Sequence, residues 1–481
     1  MKFLKTFFVT LLAFLTITSN SQQKSLETFL FDTAMTHASV SICIKDAETE
    51  YTVFEYNSGK SLNPASILKL VTSAAALELL GPQYTFKTTV GYTGYLNIKT
   101  GCLTGNIVIT GGGDPALGSD YFKEQYNDFT GMWTNEIMKL GIKKIDGKII
   151  TDDSYFDFQP VPAKWLWEDT GNYYGAGAYG LSVFDNTYEI HLNTLADSSL
   201  VTMTKLAPCI SNFSLSNFLI ADSTSNEGYV FAAPYSTSGW LNGKIPRNRE
   251  DFILKASITD PPLFMAELIN DKLIAGGVTI SGAPSTVRLE KVKLLETVIP
   301  VTEIISPPLS EIIKVLNHES INLYAEHIIK ELGKKYKNEG STAAGVEVLT
   351  DFLQNAGIKT DGMYIVDGSG LSPLNAINTA ELDNLLIYMR NRGKYFNEYF
   401  NSLPGAGREG TLKNIFKDPV FNSRINAKSG SMTRVRSYAG YLTSLSGKRM
   451  VFSIIVNNFS GPSKNIIRGI EGIIKDVILN N

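Results

Sequence analysis

Histidine and cysteine are scarce in this chain, and that scarcity narrows its chemistry. Four histidines (His37, His191, His318 and His327) are scattered through 481 residues, and no two stand at a usual metal-ligand spacing. No metal or other cofactor is therefore expected, and a serine–histidine triad would have no local motif behind it. Three cysteines, Cys43, Cys102 and Cys209, are too few for a disulfide-built scaffold, and an odd count leaves at least one thiol free or paired with another chain. Neither charge sign dominates. With 44 Lys and Arg against 47 Asp and Glu, the net charge of −3 exerts no general pull toward nucleic acid. No stretch after the N-terminal segment is long and apolar enough for a stable membrane span. Heptad arrays, repeats and low-complexity tracts are also missing.

What is present begins with "MKFLKTFFVTLLAFLTITSNSQQ": Lys2 and Lys5, an apolar run from about Phe7 to Ile17, then small polar residues. That layout predicts a secretory signal over residues 1–21 and an exported, periplasmic protein. The remainder, 43% hydrophobic, can bury a large core in two or three folded units. Residues 22–85 and 292–481 carry a hairpin, helices and a closing strand pair, and read as one domain. Residues 86–291 alternate short β-rich runs with glycine and polar turns, and read as an inserted region of one or two mostly β domains. The final stretch "SKNIIRGIEGIIKDVIL" puts its isoleucines on one face. Its other face mixes Lys464, Arg468 and Lys475 with Glu471 and Asp476, which suits core packing better than a membrane surface.

Three short stretches carry chemistry. In "NPASILKLVTSAAALELLGP", Asn63 can cap a helix, Pro64 suits its first position and Gly81–Pro82 stops it. Ser66 and Lys69, three apart, then share a helical face. A first-turn Ser66 offers both a hydroxyl nucleophile and a backbone N–H free of the intrahelical ladder. For Lys69 to act as base, its pKa must fall about three units, roughly 4 kcal/mol. Desolvation and a second nearby cation can supply that. "HESINLYAEH" places Ser320 and Asn322 in what reads as an extended connection, where alternate residues face one side. "NAKSGSM" offers Lys428, Ser429, Gly430 and Ser431 on what reads as an edge strand, where a peptide can dock as an added strand. Each motif has a decoy: Ser21–Lys24, Ser61–Asn63 and Lys99–Gly101. "GGGDPALG" lacks the lysine and hydroxyl of a phosphate-binding loop, so its glycines read as turn formers.

In this order the three stretches resemble the Ser-x-x-Lys, Ser-x-Asn and Lys-Thr/Ser-Gly motifs of penicillin-recognising enzymes. The chain is similar to one branch, the low-molecular-mass penicillin-binding proteins that are D-Ala-D-Ala carboxypeptidases and endopeptidases with domains inserted between the first two motifs. The likeness extends to "GGGDPAL", "WLWEDTGNYYGAGAYGLSVFDN", "DGSGLSPLN" and "LPGAGREGTL". It implies an α+β fold with a penicillin-binding transpeptidase/β-lactamase-like domain. It also implies peptidoglycan stem peptides as substrates and β-lactam antibiotics as covalent inhibitors. By residue, Ser66 is acylated, Lys69 is its base, Ser320 relays a proton to the leaving D-Ala, and Asn322 holds the substrate amide. Lys428 is the second cation, Ser429 binds the terminal carboxylate, and Ser66 and Ser431 N–H groups form the oxyanion hole. Asp169, beside Trp165 and Trp167, is either the contact for the stem peptide's free amine or a buried structural aspartate. Two departures stand out: Ser429 where threonine is commoner, and Ile321 where aspartate is frequent. Two alternatives remain, a β-lactamase of the same superfamily and a non-catalytic cell-wall binder.

Overall fold

A computed structural model describes residues 24–291 and 297–481; the predicted signal segment lies outside them. The chain divides into two compact units. The first comprises the residues up to Pro82, Ile313–Ser320 and Leu349–Asn481; the second comprises Gln83–Ile312 and Ile321–Val348.

The first unit is built on one antiparallel sheet of strands β1 (Ser39–Asp46), β2 (Thr52–Tyr56), β3 (Ile425–Met432), β4 (Val435–Thr443) and β5 (Arg449–Asn457). Their spatial order is β3-β4-β5-β1-β2, so chain ends meet in the middle of the sheet and β3 lies at one edge. Both faces are covered, which is why β5 is buried at every position after Arg449. On one face Ile42, Ile44, Phe452 and Ile454 pack against Ile466, Ile470, Ile473, Ile474, Val477 and Ile478 of the closing helix Ser463–Asn480. That helix is core, as its apolar stripe requires. On the other face Ser41 meets Thr379, and Ser453 meets Asp383, both on helix Thr379–Asn391.

Among the described residues the second unit holds four sheets and several helices. A five-stranded sheet runs Ser285–Thr286, Ile149–Asp152, Ile107–Thr110, Lys87–Tyr92, Ile299–Ile305, with helix Pro261–Ala275 in the same unit. Two three-stranded sheets are formed by Val201–Ala207, Thr187–Thr194 and Arg249–Ser257, and by Ser214–Ser223, Ser238–Pro246 and Glu227–Phe231. The helix Asn322–Lys337 groups with this unit. The glycines of "GGGDPALG" do form a turn, in which Asp114 accepts from Ala116 N at 2.9 Å and from the Tyr126 hydroxyl at 2.8 Å. Of the cysteines, Cys43 is buried, Cys209 exposed, and all three are free thiols. No helix among the described residues is long and apolar enough to cross a membrane.

Candidate active site

The first motif does not lie on one continuous α-helix. Ser66 sits in a 3-10 turn, Ala65–Leu68, and Lys69 opens the α-helix Lys69–Leu80. The cause is Ala65, whose φ of 48° is left-handed and costs an L-residue roughly 1–2 kcal/mol. Neighbouring groups hold it there. Asn63 Oδ1 accepts from Ala65 N at 2.8 Å, and Asn63 is clamped to β5 by reciprocal bonds with Asn457 of 2.8 and 3.0 Å. Ser437 of β4 donates to Pro64 O at 2.5 Å. Gly370 presses on the turn from another side: a Cβ there would lie 2.0 Å from Ala65 O.

Lys69 and Lys428 are both fully buried. Lys69 Nζ lies 3.0 Å from Ser66 Oγ and donates to Ser369 O at 2.7 Å. Ser369 belongs to the "DGSGLSPLN" loop, which Asp367 ties together by accepting from Gly370 N (2.8 Å), Ser372 N (2.7 Å) and Asn375 Nδ2 (2.9 Å). Lys428 Nζ, on β3, donates to Ser320 Oγ and to Ser429 O, each at 2.8 Å. Burial first, and then the charge of Lys69, drive the Lys428 ammonium well below the usual lysine range, while Glu319 opposes the shift. The repulsion is mutual, so two ammoniums in this buried space are less favourable than one.

The edge strand closes on the Ser66 turn at Gly430. A Cβ added there would lie 2.2 Å from Ser437 Oγ, 2.7 Å from Pro64 O and 3.0 Å from Ser66 N. Only a glycine admits so close an approach. Ser429 Oγ donates to Thr411 Oγ1 at 2.7 Å, and Ser431 Oγ accepts from Arg436. Ser66, Lys69, Ser320, Lys428, Ser429 and Gly430 are thus brought together within the first unit. The connection carrying Ser320 is not extended. Its φ of 62° makes it a left-handed stop after helix Leu309–Glu319, and Asn322 is already the first residue of the next helix.

Asn322 and Asp169 belong to the second unit. Asn322 Nδ2 donates to the Tyr174 carbonyl at 2.8 Å. The Tyr174 hydroxyl in turn acts on the Asp169 carboxylate, pulling against the burial that pushes this group up to about 6. One tyrosine therefore links the two sequence-predicted residues of this unit. A serine–histidine pair also occurs here: Ser182 Oγ and His327 Nε2 are 2.8 Å apart. It is sealed from solvent, its other ring nitrogen is spent on Gly113 O at 2.9 Å, and burial pushes the imidazole down to about 3. It is a structural pair.

Sequence reasoning missed Thr411, the Ser369 carbonyl, Asp367, Ser437 and Asn457. An Asp-Gly-Ser-Gly turn is a visible signal for the second and third; the others are ordinary residues until folded. Of the decoys, Lys99–Gly101 lies in the turn between strands Tyr95–Asn97 and Cys102–Thr104, and Ser61 donates to Gly362 O at 2.5 Å. Ser21 lies outside the described residues.

Comparison with known proteins adds an independent line. The D-Ala-D-Ala carboxypeptidase 3 (S13) family model matches residues 22–477. The D-alanyl-D-alanine carboxypeptidase of Actinomadura sp. (strain R39) is 26% identical over 466 residues, 92% of this chain and 82% of that protein. D-alanyl-D-alanine carboxypeptidase DacB of Haemophilus influenzae is 24% identical over 437 residues, 88% of this chain and 86% of that one. The crystal structure of Haemophilus influenzae penicillin binding protein 4 (dacB) has the same fold, with a TM-score of 0.79 at 20% identity, covering 92% of this chain and 96% of that one. A second structure of that protein, in complex with a β-lactam, has a TM-score of 0.74 at 20% identity and the same coverage.

Proposed function

Because this chain belongs to the D-Ala-D-Ala carboxypeptidase 3 (S13) family, we propose that it opens D-Ala-D-Ala bonds through an acyl-enzyme on Ser66, with Lys69 as base. It is a serine-type D-Ala-D-Ala carboxypeptidase; the roles of its residues are our assignment. The observation that carries them is the 3.0 Å separation of Lys69 Nζ and Ser66 Oγ, with a second bond to Ser369 O at 2.7 Å. A neutral amine has two N–H groups and one lone pair. With one N–H directed at Ser369 O, the lone pair can face the Ser66 hydroxyl.

In this reading Ser66 Oγ attacks the carbonyl of the penultimate D-Ala while Lys69 takes its proton. The Ser66 and Ser431 N–H groups receive the developing oxyanion. The C–N bond breaks, and the proton reaches the departing D-Ala amine through Ser320. Water then hydrolyses the ester and restores Ser66. Lys428 is the second cation beside Lys69, Ser429 binds the terminal carboxylate, Gly430 lets the strand approach, Asn322 takes the substrate amide, and Asp169 the free amine of the stem peptide. Peptidoglycan stem peptides, trimmed as monomers or cut as cross-links, are the substrates. β-Lactams acylate the same serine, a reading supported by the β-lactam complex of the Haemophilus protein. The N-terminal signal pattern supports export to the periplasm.

Intact mass after incubation with a penicillin tests the assignment. The wild type should gain one penicillin, and Ser66→Ala none. A gain that survives in Ser66→Ala moves the nucleophile elsewhere, and no gain in the wild type removes the acyl-enzyme. Product analysis on monomeric and cross-linked muropeptides then separates trimming from cross-link cleavage.

A further inference from the structure

The second unit carries an outward sheet face that the proposed chemistry does not use. It is formed by Ser214–Ser223, Ser238–Pro246 and Glu227–Phe231. The inward positions, Leu219, Val230, Leu241 and Ile245 among them, are buried, as strand alternation demands. The outward positions should then be polar. Instead, Phe218 is 62% exposed, Ile220 47%, Tyr229 40% and Trp240 39%.

Strand register orders these side chains in rows. Trp240 stands between Ser216 and Phe231, and Asn242 between Phe218 and Tyr229. Phe231 stacks on Trp240 with centroids 5.5 Å apart at 11°, and Trp167 joins the row 6.2 Å from Trp240. In these two rows rings alternate with a hydroxyl and an amide; the next row is Ile220, Lys244 and Glu227. The nearby charges cancel: Lys244 and Arg247 both pair with Asp222, at 3.3 and 3.0 Å, and Glu227 stands opposite Lys244 in the strand register.

We propose that this face is a saccharide platform that holds the glycan strand of peptidoglycan. A pyranose presents weakly positive C–H groups on its face, which suit the negative face of an aromatic ring, and hydroxyls on its rim, which suit Asn242 and Ser216. A neutral polymer matches a face whose charges are spent on one another. A lipid surface or a protein core would not call for an amide at the centre of the rings. Continuity with the substrate segment supports the polymer's identity: Trp167 is two residues from Asp169 in "WLWEDTG". That identity, but not the platform itself, rests on the proposed function.

The test uses the full exported chain and two probes: glycan strands stripped of peptides by an amidase and amidated at the lactyl carboxyls so exposed, followed by co-sedimentation, and soluble N-acetylglucosamine oligomers, followed by tryptophan fluorescence. The wild type should bind both. Trp240→Ala should weaken binding about tenfold, the loss expected for one stacking contact, while hydrolysis of a soluble D-Ala-D-Ala peptide is unchanged. Phe218→Ser, at a more exposed site, should weaken it too, and it decides the matter if Trp240→Ala does not fold. The proposal is overturned if the wild type ignores stripped strands, if the folded variants bind them as the wild type does, or if light scattering shows the face occupied by a second copy. Loss of penicillin acylation in the wild type would sink the catalytic reading and leave this result untouched.

Discussion

Lys428 Nζ donates to Ser320 Oγ across 2.8 Å, joining an edge strand to the left-handed residue that ends a helix 108 positions earlier. The bond gives Ser320 a fixed partner and brings a second cation to Lys69, the condition that a lysine base requires. Lys428→Met should lower the rate of penicillin acylation about 10²- to 10⁴-fold, measured by stopped flow. Its stability should move the other way. Burial and Lys69 hold the folded-state pKa of Lys428 below its unfolded value, so charge there costs stability at neutral pH, and the cost fades as pH rises toward the unfolded 10.5. A Tm of the variant at or below the wild type at neutral pH would refute this electrostatic account.

Gly430→Ala tests the close approach. Its Cβ would meet Ser437 Oγ at 2.2 Å and Pro64 O at 2.7 Å. Overpacking of this kind costs about 1–3 kcal/mol. Displacing Ser66 by a fraction of an ångström should cost acylation about tenfold or more. Unaltered acylation would mean that the turn is free to move.

Asp383 makes the stability of the first unit depend on pH. Burial pushes its carboxyl from 3.8 up to about 8, and it sits against Ser453 and Cys43. Between those values the folded state keeps a proton that the unfolded state has lost. Stability is therefore full below 3.8 and falls as pH rises toward about 8, by at most about 1.4 kcal/mol per pH unit. Asp383→Asn should flatten that slope in melting curves across the window. An identical slope in the variant would assign the dependence to other groups.

Tyr174→Phe separates the two readings of Asp169. The Tyr174 hydroxyl helps keep the carboxylate ionised against a burial shift to about 6. Without it, the acid limb of kcat/KM for peptides bearing a free amine should move to higher pH. Amine-blocked peptides should be unaffected. Equal losses on both would mark Asp169 as a structural aspartate.

Much of the architecture was legible because its signals are local. The apolar stripe of Ser463–Asn480 and the β1–β2 hairpin are written in residues a few positions apart. Helix punctuation at Asn63 and Gly81 marked the right segment but not its form, since Ala65 is held left-handed by Asn63, Gly370 and the sheet. The connection at Ser320 was misread for the same reason. A non-glycine residue with positive φ, between two helices, leaves no trace in composition.

Read alone, the residues restricted the chemistry: a serine and lysine three apart, a Ser-x-Asn and a Lys-Ser-Gly, in that order and with that insertion, resemble one group of serine acyl-transfer enzymes. Tertiary structure alone decided which atoms meet: the Ser369 carbonyl on Lys69, Thr411 on Ser429, Tyr174 between Asn322 and Asp169, and the aromatic face of the second unit. Order along a chain restricts chemistry through residue type, whereas a hydrogen bond depends on tenths of an ångström between segments hundreds of positions apart, and only packing sets those distances.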